Sequence, residues 1–324
     1  MFKPGTRVLI TGGSGFIGTN VVDYFTALEG VEVVNIDCVP PRNKLHFKYW
    51  RAVDLLDEQA LSASVSNFDP HYIIHMAART DLNGATISDY SANTAGVRNM
   101  LQAAKTCVSL KKIIITSSML VCRAGYQPTT QYDYAPSTIY GESKVHTEQV
   151  VWQNPPQCDW AIVRPTSIWG PWFGEPYKNF FDMVIAGRYF HIGNRSCTKT
   201  YGYVGNAVYQ VVRILVSDTM NSTQKVYYLG DAPATNIKEW ADEIAAALGK
   251  HIYTMPYWLL KIAAWGGDFL KCFGVRFPMT SFRLKNMTTN NEIDLSATSK
   301  IAPNPPVSRK DAIRETLKWI STYE

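Results

Sequence analysis

Short apolar runs alternate with segments of helical periodicity along the first half of the chain. Residues 8–11 are apolar and β-branched, which is typical of a buried parallel strand, and apolar residues at helical spacing follow from Phe16 to Phe25. The same reading predicts further strands over 31–37, 50–53, 72–77, 111–118 and 160–165, and helices over about 88–107 and from Tyr140. This alternation predicts an α/β fold built on a Rossmann-type, doubly wound parallel sheet.

The pattern changes after residue 165. Residues 169–176 are rich in aromatic and turn-forming side chains, which is typical of loops that line clefts. Segments 201–215 and 226–229 resemble a return to the sheet. Helices dominate from residue 236 and are predicted over 237–248, 257–273 and 309–321. We therefore predict a smaller, mostly helical part that closes over the ends of the strands.

A glycine-rich turn connects the first predicted strand to the first predicted helix. Gly12, Gly15 and Gly18 recur at every third residue. Glycines let the backbone approach a pyrophosphate, and the free N–H groups at the start of the helix attract its negative charge. Strand, turn and helix in this order predict a dinucleotide site. The second predicted strand ends at Asp37, where an acid favours NAD over NADP, although Arg42 could soften that preference.

The dinucleotide site sets the predicted division of the chain. We expect a dinucleotide-binding Rossmann domain over 1–165, to which 201–235 return. The substrate-binding cap is expected to combine 166–200 with 236–324.

Tyr140 and Lys144 form a second motif. Positions i and i+4 share one face of a helix, so the phenol and the ammonium project together. A nearby ammonium lowers the pKa of a phenol, as does a positively charged nicotinamide ring. Such a pair also occurs on ordinary helix surfaces, but Ser117 and Ser118 end a predicted strand just before the helix. Together they predict a site in which Tyr140 is the acid/base and a serine hydrogen-bonds a substrate oxygen.

Three ordered motifs make the chain similar to the extended short-chain dehydrogenase/reductases. Within them it resembles the NAD-dependent epimerase/dehydratase branch, which acts on nucleotide sugars. Residues 11–18 match the T-G-G-x-G-F-I-G turn, residues 140–144 match Y-G-x-S-K, and residues 164–171 resemble R-P-x-N-V-Y-G-P. The resemblance runs from residue 8 to about residue 230 and is weaker beyond it.

The resemblance implies a role for individual positions. For the cofactor NAD it implies Gly12, Gly15, Phe16 and Ile17 at the pyrophosphate, Asp37 at the adenosine ribose, Asp54 and Leu55 at the adenine, and Ala77, Ala78, Arg79, Asn93 and Thr116 near the nicotinamide. For catalysis it implies Ser118, Tyr140 and Lys144, of which Lys144 also binds the nicotinamide ribose. For the substrate it implies Ser118, Ser167, Asn179, Lys199 and Arg283. Asn93 is open to a second interpretation, as a buried amide that packs a helix.

Departures from the family pattern narrow the reaction. Met119 and Leu120 stand where dehydratases of the family carry an Asp-Glu pair, and neither can transfer a proton. Trp172 stands where the epimerase-reductases carry a histidine. Ser167, Cys122 and Asn206 also replace usual residues, which leaves the sugar contacts open.

We therefore expect an NAD(P)-dependent oxidoreductase that 4-epimerises a nucleotide-activated sugar through a transient ketone. A one-way 4-keto-sugar reductase or a hydroxysteroid-type dehydrogenase is the alternative, and a non-catalytic cofactor-binding scaffold is a weaker one. A twofold homodimer is expected because the helices near 88–107 and 140–152 resemble the family's dimer helices. Both helices carry more apolar residues than the burial of one face requires, namely Val97, Met100, Leu101, Val145, Val150 and Val151.

Composition excludes several other classes. The net charge of +5 is dispersed, so no nucleic-acid partner is expected. Six scattered cysteines without C-x-x-C spacing predict reduced thiols, and His71 and His75 lie too far apart on a strand to share a metal ion. Segment 257–274 is interrupted by charged residues, which predicts a helix covering a core or cleft and no membrane span. Contact of this helix with a membrane surface stays open as the less favoured alternative. With no recognisable signal peptide, a cytoplasmic location is expected.

Overall fold

A seven-stranded sheet forms the centre of the protein in a computed structural model that describes residues 2–272, 281, 284 and 288–323. The strands are β1 (Thr6–Thr11), β2 (Val31–Asp37), β3 (Trp50–Ala52), β4 (Tyr72–His75), β5 (Lys112–Thr116), β6 (Asp159–Pro165), β7 (Ser167–Trp169), β8 (Phe190–Ile192), β9 (Thr198–Lys199), β10 (Tyr201–Tyr203), β11 (Val226–Leu229), β12 (Thr235–Asn236) and β13 (Tyr253–Met255). The helices are α1 (Phe16–Thr26), α2 (Glu58–Phe68), α3 (Ser91–Ala104), α4 (Ile139–Gln153), α5 (Tyr177–Ile185), α6 (Val204–Val216), α7 (Ile237–Ala247), α8 (Tyr257–Cys272), α9 (Ser296–Ile301) and α10 (Arg309–Tyr323).

The sheet has the order β3–β2–β1–β4–β5–β6–β11, and every pair of neighbours is parallel. The chain builds outward from β1 to β3 and then returns to the other side of β1 with β4. Ligands of such sheets bind at the carboxyl ends of the strands where the direction reverses, here between β1 and β4. The predicted doubly wound α/β fold is confirmed.

Alternate residues of the strands enter two separate cores, as a pleated strand buried on both faces requires. Val8 and Ile10 join a core with α1 and α6, whereas Leu9 joins a core with α2 and α3. Val8, Leu9 and Ile10 are fully buried, so β1 is packed on both faces up to its carboxyl end.

The sequence interpretation of 201–215 as part of the sheet is wrong. Only Tyr201–Tyr203 is a strand, and it pairs with β7 outside the main sheet. The following segment is α6, because its apolar residues recur at helical spacing and pack against α1 and the sheet. The prediction for 226–229 is confirmed, since β11 is the edge strand next to β6.

Two short pairings tie the middle of the chain to its C-terminal third. β9 pairs with β12, and β8 pairs with β13. Helices α7 and α10 pack together beside them. The domain boundaries themselves stay a prediction.

The apolar residues that the sequence analysis assigned to a dimer interface are buried inside the protein itself, so this argument for a dimer is wrong. Val97, Met100, Leu101 and Val151 are at most 5% exposed, and Val145 and Val150 are also buried within the chain. They pack in the protein's own cores because α3 and α4 lie against each other and against the sheet. The prediction of a homodimer therefore rests on the family resemblance alone.

Candidate active site

The turn between β1 and α1 is packed so closely that it excludes side chains. Gly12 has a φ of +72°, and a Cβ there would lie 2.5 Å from the backbone nitrogen of Ala77. A Cβ at Gly18 would lie 2.1 Å from the carbonyl oxygen of Gly12. Gly15 is the N-cap of α1 and brings no side-chain cap, so the first N–H groups of α1, which starts with Phe16 and Ile17, suit an anionic group.

Asp37 lies beside this turn at the end of β2. Its carboxylate accepts hydrogen bonds from the backbone nitrogens of Ser14, at 3.0 Å, and Val39, at 3.1 Å. Burial raises the pKa of Asp37, and these hydrogen bonds oppose the rise. Further along the same edge, Asp54 accepts from the backbone of its own loop and Leu55 is buried. The adenosine end of the predicted site is thus assembled from β2 and the loop after β3.

The loop after β4 holds Ala77 and Ala78 next to the glycine turn. The side chain of Asn93, which is completely buried, accepts from the backbone nitrogen of Arg79 at 2.8 Å and donates to its carbonyl at 2.9 Å. The guanidinium of Arg79 pairs with Asp81 at 2.7 Å. Asn93 therefore fixes the shape of this loop from a buried position, in agreement with its second interpretation as a structural amide, and the Arg79 side chain is engaged by Asp81.

Ser118, Tyr140 and Lys144 come together at the carboxyl ends of β5 and β6. Ser118 follows β5, and Tyr140 lies on the first turn of α4, near enough to Ser118 for the serine side chain to lower the pKa of the phenol. Lys144 lies one turn further and donates from Nζ to the carbonyl of Thr116 at 3.0 Å. Ser118 also accepts from the backbone of Leu120, which orients its hydroxyl. The site therefore presents a phenol, a serine hydroxyl and an ammonium group at the ends of neighbouring strands.

Burial controls the ionisation of these groups. It raises the pKa of Tyr140 to about 12, so the lowering predicted from Lys144 is wrong for the protein by itself. Burial lowers the pKa of Lys144 to about 8, and the carboxylate of Glu148 opposes that change. His75 has its pKa lowered to about 3 by burial, then by the charge of Lys144, and it pairs with Thr11 through Nδ1. His75 is thus a neutral residue at the end of a strand, in agreement with its structural interpretation.

A buried network behind the triad was missed from the sequence. Glu148 is completely buried and forms a two-point ion pair with Arg164, with distances of 2.8 and 2.7 Å. It also accepts from Ser117 at 2.6 Å and from Tyr134 at 3.0 Å. The available signal was its spacing, since Glu148 lies four residues after Lys144 and therefore shares its face of α4. The network positions the end of β5 against α4.

A cavity of about 490 Å³ has a wall that begins directly after Ser118 in the chain, whereas Ser118, Tyr140 and Lys144 are not among its lining residues. Met119 and Leu120, which follow Ser118, form part of its wall. Ser167 and Lys199 also line it, and the hydroxyl of Tyr177 donates to Ser167 at 2.7 Å. This volume suits a sugar with part of its activating group.

Among the described residues, no other predicted substrate contact lines this cavity. Asn179 is exposed on α5 and is not among the residues lining the cavity. Arg283 lies outside the described residues. Cys122 does line the cavity, at the position where the family carries a tyrosine.

The site fits the adenine dinucleotide that its sequence predicts. A Cβ at Gly15, the N-cap of α1, would meet only the carbonyl oxygen of Gly12 within 4 Å, at 3.2 Å, so a phosphate group can approach the start of the helix at this residue. Thr116 carries a buried hydroxyl oxygen with no hydrogen-bond partner in the described part of the chain, next to the carbonyl that holds Lys144. A nicotinamide ribose or amide would satisfy that hydroxyl. Arg42, named as a possible aid to NADP, donates instead to the carbonyl of Trp172 at 2.8 Å.

The described residues contain neither a cluster that could hold a metal ion nor a helix that could span a membrane. Among the described residues no group of three or more His, Cys, Asp or Glu side chains could hold a metal ion. No helix in the described ranges is long and apolar enough to cross a bilayer.

Known proteins are similar to this chain in sequence and in fold. The chain is 27% identical over 323 residues to N-acetyl-α-D-glucosaminyl-diphospho-ditrans,octacis-undecaprenol 4-epimerase of Escherichia coli O157:H7, covering 97% of this chain and 95% of the relative. It is 27% identical over 340 residues to a 3-β-hydroxysteroid dehydrogenase of Mycolicibacterium neoaurum, covering 97% and 91%. The crystal structure of UDP-glucuronic acid 4-epimerase from Bacillus cereus in complex with NAD superposes with a TM-score of 0.74 at 17% identity, covering 98% and 99%.

The family model itself matches residues 8–230, which include the glycine turn, the triad and the cavity wall from Met119 to Ser167. The chain therefore belongs to the NAD-dependent epimerase/dehydratase family, as its three sequence motifs predict.

Proposed function

We propose that the protein 4-epimerises a sugar activated by a nucleoside diphosphate, using NAD. The observation that carries the proposal is the buried phenol of Tyr140, which lies near Ser118 and one helical turn from Lys144. Met119 and Leu120, which follow Ser118 in the chain, form part of the wall of a cavity. The triad contains a group that can transfer a proton, whereas the side chains of Met119 and Leu120 contain none. Dehydration, which needs a further acid/base pair, is therefore disfavoured.

NAD, when bound, accepts and returns a hydride. Tyr140 takes the proton of the sugar hydroxyl while Ser118 holds its oxygen. Burial holds Tyr140 in its protonated form in the protein by itself. Lys144, one helical turn away, would act together with the positively charged nicotinamide ring of bound NAD to favour the phenolate that takes this proton. The resulting ketone must turn within the cavity, after which Tyr140 returns the proton to the same oxygen and the opposite configuration results.

Asp37, Thr116 and the glycine turn are proposed to hold NAD, and Ser167 and Lys199 the substrate. A cytoplasmic location and a homodimer are part of the same proposal. The match to a hydroxysteroid dehydrogenase supports a one-way dehydrogenase as the second candidate.

The deciding experiment supplies sugars to purified protein without added cofactor. Retained NAD and conversion of a nucleotide sugar to its 4-epimer support the proposal. An empty site, with one NADH consumed per molecule of 4-keto sugar or one NADH formed per molecule of steroid alcohol, moves the assignment to the one-way enzyme. The panel includes a polyprenyl-diphosphate sugar, because the Escherichia coli relative bears such a substrate in its name.

The roles of the triad are tested with a matched pair of tyrosine variants. Tyr140→Phe removes the acid/base and is expected to reduce turnover by roughly 10²–10⁴-fold, with NAD binding little changed. Tyr209→Phe also removes a hydroxyl with one hydrogen bond, to the carbonyl of Pro303, and is expected to leave turnover unchanged. Turnover of Tyr140→Phe within a few-fold of the wild type contradicts the mechanism.

A further inference from the structure

A cavity between Asp231, on the loop after β11, and residues 309–314 of α10 lies apart from the proposed active site. This second cavity has a volume of about 850 Å³, within the range of roughly 300–1,000 Å³ that is usual for small-molecule sites. Helix α7 forms a further part of its wall. Among the described residues, neither the glycine turn nor Ser118, Tyr140 or Lys144 lines it, so it is a separate site.

Asp231 gives the wall of the second cavity a carboxylate without a cationic partner. This carboxylate accepts hydrogen bonds from the backbone nitrogen of Tyr203 at 2.7 Å and from Nδ2 of Asn206 at 2.9 Å, and both donors are neutral. No ion pair to it is found in the described part of the chain. Burial raises the pKa of Asp231 to about 6, and the two hydrogen bonds oppose the rise. Because a carboxylate shielded from water is unfavourable without a cation, the ammonium group of a ligand would stabilise it.

Asn206, one of the departures from the family pattern, holds this carboxylate in place. Its Nδ2 donates to Asp231 and to the carbonyl of Val307, each at 2.9 Å, and its Oδ1 accepts from the backbone nitrogen of Val307 at 3.0 Å. Both Asn206 and Val307 line the second cavity. The amide therefore fixes the loop after β11 relative to the segment before α10, and these two parts of the wall are preorganised.

Three aromatic side chains form an apolar part of the wall. Trp169, Tyr201 and Trp240 line the second cavity and are at most 6% exposed. The ring centroid of Trp240 lies 5.1 Å from that of Trp169 and 4.6 Å from that of Tyr201. The indole nitrogen of Trp240 is buried and has no hydrogen-bond partner among the described residues. Such a wall suits an apolar ring, and an acceptor atom of a ligand would satisfy the indole N–H.

Helix α10 supplies cations to the same cavity. Arg309 forms a two-point ion pair with Glu243, so these two lining charges neutralise each other. Lys310 and Arg314 also line the cavity and are exposed. Arg314 lies 3.4 Å from Asp311, and an ion pair at such an exposed position is weak. The wall on α10 therefore attracts an anionic group.

We propose that the second cavity binds a zwitterion of short-peptide size, with its ammonium group at Asp231, its carboxylate at Lys310 and Arg314, and an apolar ring against the aromatic wall. A ligand with an ammonium group alone would be repelled by the two cations, and a ligand with a carboxylate alone by Asp231. The proposal goes beyond the proposed epimerase activity and does not rest on it.

The two charged ends of the second cavity are separated. Asp231 lies on the loop after β11, whereas Lys310 and Arg314 lie on α10, and neither cation contributes to the change in the pKa of Asp231. This separation fits the two ends of a peptide, and it does not fit a free amino acid, whose charged groups are adjacent.

Isothermal titration calorimetry tests the proposal with three forms of one dipeptide. Phenylalanylglycine carries both charges, its C-terminal amide carries only the ammonium group, and its N-acetyl form carries only the carboxylate. The free dipeptide is expected to bind the wild type roughly tenfold more tightly than either blocked form, because each blocked form lacks one ion pair and meets one repulsion. Free phenylalanine is expected to bind as weakly as the blocked forms.

A matched pair of lysine variants locates the binding site. Lys310→Ser should lower the affinity for the free dipeptide by about tenfold and leave the affinity for its amide unchanged. Lys318→Ser removes an exposed lysine of the same helix that does not line the cavity, and it should bind like the wild type. Asp231→Asn should bind the free dipeptide no better than the N-acetyl form. An unaltered NAD-induced thermal shift shows that a variant is folded, and if Asp231→Asn does not fold, the lysine pair decides.

A competition experiment separates this proposal from the proposed function. Tyr201 lines both the second cavity and the cavity that begins after Ser118, so a saturating nucleotide sugar is added to the dipeptide complex. The sugar should not displace the dipeptide, and dipeptide binding should persist even if no sugar is epimerised. The proposal is overturned if the wild type does not bind phenylalanylglycine at millimolar concentration, if a blocked form binds as tightly, if Lys310→Ser and Lys318→Ser bind alike, or if the sugar displaces the dipeptide.

Discussion

The crowding around Gly18 makes a quantitative prediction about the nucleotide turn. Gly18 lies inside α1, and a Cβ there would meet the carbonyl oxygen of Gly12 at 2.1 Å and the Cα of Gly13 at 2.7 Å. Gly266 lies inside α8, is exposed, and has no atom within 4 Å of the position of its Cβ among the described contacts. The two glycines share a helical backbone and differ in the space around them.

Replacing either glycine with alanine isolates that difference. Gly266→Ala should stabilise the protein by about 0.5–1 kcal/mol, because alanine loses less backbone entropy in a helix. Gly18→Ala has the same gain but forces backbone apart, and overpacking costs about 1–3 kcal/mol. The expected net loss for Gly18→Ala is roughly 0–2.5 kcal/mol, and the difference of about 1–3 kcal/mol between the two variants is the cost of the contact.

The assay is urea unfolding of both variants, with NAD affinity measured alongside. Since the displaced atom is the Gly12 carbonyl, Gly18→Ala should also bind NAD at least tenfold more weakly, whereas Gly266→Ala should bind it normally. Equal m-values are needed for the comparison of midpoints. If Gly18→Ala is as stable as Gly266→Ala and binds NAD like the wild type, the turn can relax and its close packing does not define the site.

Three further predictions concern charged groups. Asp37→Asn should shift the preference from NAD toward NADP by weakening the repulsion of a 2′-phosphate, and competitive titration measures it; an unchanged ratio contradicts the role of Asp37. The pKa of Lys144 is lowered to about 8, so between pH 8 and about 10 the unfolded chain binds a proton that the native protein does not. The free energy of unfolding of the wild type should therefore rise with pH in that window relative to Lys144→Met, and parallel profiles would refute the lowered pKa. Glu148→Gln leaves the buried guanidinium of Arg164 without its ion pair and should cost about 3–5 kcal/mol in urea unfolding, and Glu148→Gln combined with Arg164→Met should recover part of that loss.

Local sequence patterns were sufficient for the Rossmann part because each of its signals is short in range. The strand before Gly12 and the helix after it are read from neighbouring residues, and β2 ends at Asp37 as predicted. The segment 201–215 was misread because its apolar content suits a strand as well as a buried helix. Only packing against α1 and the sheet makes it α6.

The sequence alone determined the family, the cofactor turn and the Ser118, Tyr140 and Lys144 set, because motif spacing on a strand or helix dictates which side chains share a face. The tertiary structure alone decided what surrounds them. Burial raises the pKa of Tyr140 and lowers that of Lys144, and both effects come from atoms distant in sequence. The ion pair between Glu148 and Arg164 joins a helix to a strand. Likewise, the sequence of α8 predicted a helix that covers a core or cleft, and only the tertiary structure shows that Leu260 and Ala264 are buried while Trp258 and Trp265 are exposed. The solvent exposure of a side chain depends on the packing of the whole chain, so a local sequence pattern cannot predict it.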